Sequence, residues 1–153
     1  MKDTYRGSLA RQNFFKGYNC PQSVVLAYED ILVEHGIDPK TMTRLSSTFG
    51  GGMGRLREVC GAISGMLMIL GLVEGYDDPE VLEEKGLLYE HVQTLVGRFK
   101  EEQGAILCRD LLGLGEGASN PMPAPRTDDY YDDRPCPDFI ACAASILEEY
   151  LQQ

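Results

Sequence analysis

Apolar residues recur along most of the chain at intervals of three and four, the repeat of a helix with one buried face. No stretch alternates apolar and polar residues as a half-buried strand would. A first helix is expected from Asp3 to Lys16, closed by Gly17. A second runs from Pro21 to near Gly36 and puts Val24, Val25, Tyr28, Ile31 and Leu32 on one side. Asp38-Pro39 pairs a capping residue with a proline and predicts a short helix to about Thr48. Phe49 to Gly54 reads as a glycine-rich turn, followed by a buried helix from about Leu56 to Leu72. Asp78-Pro79 repeats the start signal and predicts the longest helix, to about Glu102, with Leu88, Val92, Leu95, Val96 and Phe99 inward. A short turn of helix is expected around Leu107 to Leu112. Residues 113–135, rich in Gly, Pro and Asp, are expected to be irregular. A last helix from Pro137 presents Phe139, Ala143, Ile146, Leu147 and Tyr150 on one face. The expectation is an all-α single-domain bundle, residues 1–153, of five to six helices.

Composition agrees with this reading. A chain of 153 residues is long enough for one domain with its own core. Its 43% hydrophobic and 25% charged residues are those of a globular protein, not a disordered one. The net charge of −10 is uneven: residues 1–73 sum to +2 and residues 74–153 to −12. Such acidity repels phosphate backbones and anionic bilayers, so neither nucleic acid nor membrane is expected as a partner. The longest apolar run, Gly61 to Val73, has thirteen residues. A membrane span needs about 20. No apolar stretch follows the N-terminal Met1-Lys2-Asp3, so no export signal is visible and the cytoplasm is the expected compartment.

Five cysteines change the picture: Cys20, Cys60, Cys108, Cys136 and Cys142. In a reducing compartment structural disulfides do not persist, which turns attention to metal binding or redox chemistry. The ordinary alternative for any single one is a small buried hydrophobe. Cys20 and Cys136 are each followed directly by proline, which predicts that both stand at the N-cap of a helix. Free N–H groups and the positive end of the dipole there favour a thiolate. Basic residues lie near each of the first four thiols: Lys16 before Cys20, Arg57 before Cys60, Arg109 beside Cys108 and Arg134 before Cys136. Gly61 and Gly65, four apart, share one helix face. Each costs about 1 kcal/mol relative to alanine, so the pair implies either tight helix packing or close approach of another cysteine or a cluster. Successive cysteines are 40, 48, 28 and 6 residues apart, with no Cys-x-x-Cys. A thioredoxin-type motif, a zinc ribbon and the bacterial ferredoxin spacing are thereby excluded. Any joint site must be assembled by the fold.

The segments Gly17-Tyr18-Asn19-Cys20, Phe49-Gly50-Gly51-Gly52-Met53-Gly54-Arg55 and Cys60-Gly61-Ala62-Ile63-Ser64-Gly65 resemble the C_GCAxxG_C_C family of redox-active proteins. Cys108-Arg109-Asp110-Leu111-Leu112-Gly113 is similar to that family's third cysteine segment, and Arg134-Pro135-Cys136-Pro137 to its fourth. The central motif reads Cys-Gly-Ala here, in contrast to the order in the family label. Cys142 is extra to the four-cysteine pattern. The resemblance covers about residues 10 to 150 and implies a helical domain in which Cys20, Cys60, Cys108 and Cys136 act together. Arg57, Arg109, Gly61 and Gly65 are candidate supporting residues.

Four thiolates are the ligand set of an iron–sulfur cluster for electron transfer, the reading first expected here, and equally of zinc. They also serve thiol–disulfide exchange without metal. A third class is a helical interaction or metal-carrier module with structural zinc and no catalysis. A redox partner protein is expected under the first two.

Other signals are weaker. The glycine run matches neither the dinucleotide fingerprint nor the P-loop and is read as a tight turn. His35 and His91 are isolated. Asp128, Asp129, Asp132 and Asp133 lack the calcium-loop spacing and are read as a solvated loop whose Tyr130 and Tyr131 dock on the domain or on a partner. Met53, Met66 and Met68 are expected in the core.

Overall fold

The buried helix predicted in the middle of the chain is the centre of the molecule. The computed structural model describes residues 1–153. Its helices are α1 (Tyr5–Phe15), α2 (Cys20–Leu26), α3 (Glu29–Glu34), α4 (Pro39–Ser46), α5 (Gly50–Met53), α6 (Gly61–Glu74), α7 (Leu82–Gln103), α8 (Cys108–Leu111), α9 (Asp128–Asp133) and α10 (Cys136–Leu151). A 3-10 turn, Ser47–Phe49, joins α4 to α5. There is no sheet, and a single isolated bridge pairs Val59 with Leu107. The all-α expectation holds. No helix is long and apolar enough to cross a membrane.

α6 is buried along one side by Ala62, Ile63, Met66, Ile69 and Leu70, the spacing of a helix face turned to the core. α2 and α10 pack against it, and α1 lies along α10 and α2. Burying each large aliphatic side chain contributes about 1.5–3 kcal/mol, so this contact region carries most of the stabilising area. α10 is buried almost all round, from Cys136 to Glu148. The face predicted for it was too narrow, because α1, α2, α6 and α7 all pack on it.

The helices outnumber the expected five to six because several predicted elements are broken by contacts remote in sequence. The single helix expected after Pro21 stops at Leu26 and resumes at Glu29. Arg6 takes the Ala27 carbonyl at 3.0 Å and stacks 4.5 Å from the Tyr28 ring, while the Tyr28 hydroxyl donates to Ala144 O at 2.6 Å. The helix expected from Leu56 begins only at Gly61. Gly54, Arg55 and Arg57 adopt positive φ, and the following backbone bonds to the 106–109 segment instead: Cys60 N to Ile106 O at 2.9 Å and Cys108 N to Glu58 O at 2.6 Å. Asp78 caps its own turn by accepting from Glu80 N, so α7 starts at Leu82, later than the proline implied. On α7, Leu95 and Phe99 are buried, while Leu88, Val92 and Val96 are partly so.

Residues 113–135 are irregular up to Thr127, whose side chain caps the short α9. The acidic stretch is thus a helix rather than a loop. Tyr130 and Tyr131 dock on Phe14 and Phe15, with ring centroids 5.0–6.3 Å apart. Met66 is in the core, but Met53 is 45% exposed, because the left-handed glycine turn carries it outward. Asp38 caps α4 with Pro39 at its start, as expected.

Candidate functional site

Four cysteines stand at four helix starts. Cys20, Cys108 and Cys136 are the first residues of α2, α8 and α10, and Cys60 is the N-cap of α6. For Cys20 and Cys136 this is one residue inside the expected N-cap. Asn19 takes that position on α2 because its side chain accepts from Gln22 N at 3.1 Å while Gln22 Oε1 accepts from Asn19 N at 3.0 Å. Pro135 takes it on α10. That Cys60 and Cys108 also sit at helix starts carries no proline signal in the sequence.

Glycine contacts bring these starts together. A Cβ on Gly61 would stand 2.8 Å from both Phe49 O and Pro21 Cδ, and 3.0 Å from Cys20 Cβ. One on Gly65 would meet the Pro21 carbonyl oxygen at 2.8 Å. Both readings of the glycine pair therefore hold: α2 packs tightly on α6, and Cys20 is let in beside Cys60. In the glycine turn, Gly52 has φ +68°, and a Cβ there would strike Cys108 Cβ at 2.8 Å. The turn seats Cys108.

Cys20 and Cys136 line the same cleft, and each is the first cause of the other's shift in ionisation. The Cys20 thiol is pushed well above its ordinary value by neighbouring Cys136 and by burial, which keeps its proton on. Cys136 is pulled down to about 7, first by the neighbouring Cys20 thiol and then by the charges of Arg134, Arg57 and Arg126, against the effect of burial. Burial pushes Cys60 up to about 12 even though the Ala62 and Ile63 N–H groups favour its thiolate. Cys20 also feels the charges of Cys60 and Cys108. The four thiols are thus electrostatically one group.

Cys20, Cys108 and Cys136 open on one cleft of about 270 Å³, with Cys60 behind it. Arg57, 4% exposed, donates from Nη1 to Cys108 Sγ at 3.4 Å and from Nε to Ser119 Oγ at 2.8 Å. Arg109, the other expected support, turns to Glu58 at 2.7 Å and leaves its buried Nε without a partner. Lys16 is exposed and lies outside the cleft. Sequence reasoning missed Arg55 and Arg126. Arg126 donates to Phe14 O at 3.0 Å and Tyr18 O at 3.1 Å, stacks on Phe14 and is brought in by the irregular segment. No local pattern marks it.

Cys142 is not in this group. Six residues beyond Cys136, it is about 9 Å further along α10 and about 240° round it. It is buried beside Gln103, lines a separate pocket with Met1 and Ser145, and its thiol is raised by burial. His91 hydrogen-bonds with Glu74 and Tyr150, and His35 with its own helix.

Sulfur donors of this kind suit an iron–sulfur cluster or zinc, but no group of three or more His, Cys, Asp or Glu side chains is arranged here to hold a metal ion. As they stand, the cysteines offer thiol chemistry. The family model described as "Putative redox-active protein (C_GCAxxG_C_C)" matches residues 18–150, a span holding all five cysteines. No curated protein and no solved structure matches the chain.

Proposed function

The chain belongs to the C_GCAxxG_C_C family, and on that premise we propose that Cys136 and Cys20 carry out thiol–disulfide exchange. The observation that carries this reading is geometric: Cys20 and Cys136, at the starts of two helices, line one cleft together with Arg57, Arg126 and Arg134. A thiolate with a pKa near ambient pH is the best attacking group, since it is both populated and nucleophilic.

Cys136 Sγ attacks one sulfur of a substrate disulfide. The substrate S–S bond breaks, a mixed disulfide forms on Cys136, and the first substrate thiolate leaves. Removing the charge on Cys136 also removes the main cause holding the proton on Cys20. Cys20 gives that proton to the departing thiolate and attacks Cys136 Sγ. A Cys20–Cys136 disulfide forms and the second substrate sulfur leaves as a thiolate, two electrons having passed from protein to substrate. Run backwards, the same steps oxidise a dithiol. Arg57 supports the site by holding Cys108. Five free cysteines fit a compartment that keeps thiols reduced, the cytoplasm, where a redox partner would return the disulfide to dithiol.

The test is to treat reduced protein with hydroxyethyl disulfide and map bridges by mass spectrometry. A Cys20–Cys136 bridge is expected, absent in Cys136→Ser. Oxidation that never joins these two sulfurs would overturn the reading. A second reading, an iron–sulfur cluster or structural zinc on four thiolates, is supported by four cysteines standing at four helix starts that Gly61, Gly65 and Gly52 let approach closely. Its test is the visible spectrum and metal content of protein purified without oxygen. Brown protein, or stoichiometric zinc lost in Cys60→Ser, would favour it over exchange.

A further inference from the structure

The cleft beside Cys136 is a concentration of positive charge in an acidic protein. Of nine arginines, four line it: Arg55, Arg57, Arg126 and Arg134. Elsewhere Arg6, Arg11, Arg98 and Arg109 are each ion-paired to a carboxylate, and Arg44 is exposed on α4. The cleft arginines are held differently. Arg55 donates to Asn120 O at 2.6 Å, Arg57 to Ser119 Oγ, and Arg126 to two backbone carbonyls. Arg134 stacks 5.0 Å from the Tyr130 ring. None is ion-paired, and no Asp or Glu lines the cleft, although the chain has 24 of them.

One thiolate, at Cys136, offsets only part of four guanidinium charges. Clustered like charges without counter-charges are costly, so an arrangement of this kind is matched to an anion that enters. Guanidinium is the group best shaped for a carboxylate, which it can bind through two parallel bonds. The cleft volume of about 270 Å³ lies at the small end of small-molecule sites.

We propose that the cleft selects a small disulfide carrying carboxylates near its sulfurs, which Arg55 and Arg134 hold while Cys136 attacks. This rests on the exchange reading and names its substrate class. The disulfide is the oxidant. It accepts two electrons and leaves as two carboxylate-bearing thiols, and the protein retains the Cys20–Cys136 bridge.

The test uses three small disulfides of graded charge: dithiodiglycolate (dianion), hydroxyethyl disulfide (neutral) and cystamine (dication). Rates of Cys20–Cys136 bridge formation are each divided by that disulfide's rate with a neutral reference thiol. The expected order is dianion, neutral, dication, spanning about tenfold or more, as electrostatic focusing in a charged cleft allows. The span should shrink in about 1 M salt, where the screening length falls to about 3 Å. Arg134→Gln and Arg55→Gln, on different segments, should each narrow the dianion-to-dication ratio severalfold, whereas Arg44→Gln should leave it unchanged. Using the ratio separates charge selection from the effect of Arg134 on Cys136 itself. Equal normalised rates, or faster cystamine, would overturn the inference while the bridge left exchange standing. If none of the three formed the bridge, the exchange reading would fail first and this inference with it.

Discussion

Cys20 and Cys136, the first residues of α2 and α10, line one cleft, and each sets the other's ionisation. The two residues are 116 apart in the chain, yet they share one cleft and shift each other's ionisation in opposite directions. Those shifts give them opposite roles: Cys136 is ready to attack, and Cys20 stays protonated until the charge beside it is gone.

Alkylation of Cys136 by a neutral reagent should therefore rise with pH through an inflexion near 7, not near the ordinary 9.0. The sign follows from the thiolate being the reactive form: the rate falls below pH 7 and levels off above about 8. In Cys20→Ala the inflexion should move up toward 9.0, because the largest stabiliser of the thiolate is lost. Peptide-resolved alkylation across the pH range would measure both. An unchanged inflexion in the variant would show that the pair is not coupled.

Gly61→Ala should destabilise the fold by about 1–3 kcal/mol, the usual cost of overpacking. The helix-propensity gain of about 1 kcal/mol works against this but does not cancel it. The added methyl meets Phe49 O and Pro21 Cδ at 2.8 Å, neither of which is the end of a flexible side chain. Gly86→Ala in α7 meets nothing within 4 Å and should stabilise by about 0.5–1 kcal/mol. Urea denaturation of both variants gives the contrast.

Arg126→Ala should loosen the irregular segment. Two backbone carbonyls, of Phe14 and Tyr18, lose their donor, and the stack on Phe14 and Tyr130 is lost. The part-buried Phe14 carbonyl bears the larger loss, about 1 kcal/mol, while water can take the donor's place at the exposed Tyr18 carbonyl. Limited proteolysis should then cut within 113–127 faster than in the parent, and the Cys136 inflexion should rise because one of its three cations is gone.

Cys142→Ser should leave bridging between Cys20 and Cys136 unchanged. The residue is buried beside Gln103, which can bond a hydroxyl, so stability should fall by only about 1 kcal/mol. Bridge mapping and a thermal melt on the same sample check both halves. Loss of the bridge would mean that the fourth thiol of the group had been misassigned.

Sequence periodicity was sufficient for the all-α architecture, the buried α6, the Asp38 cap and the last helix, because each depends on residues three and four apart. The cysteines could be nominated from local cues, chiefly proline after Cys20 and Cys136 and the Gly61/Gly65 pair. Breaks at Tyr28 and at Arg57–Cys60 were not legible. They come from Arg6, Ala144 and the 106–109 segment, partners with no sequence proximity.

The same division runs through the site. Residue types and helix starts determined which thiols were candidates, since capping and proline act within a turn of chain. Which thiols meet was decided by packing: α2 against α6 through two glycines, and Gly52 against Cys108. Which of them ionises was decided first by Cys20 and then by Arg134, Arg57 and Arg126, drawn from separate segments onto one sulfur. Electrostatic interaction depends on distance through space, and only the folded chain sets those distances.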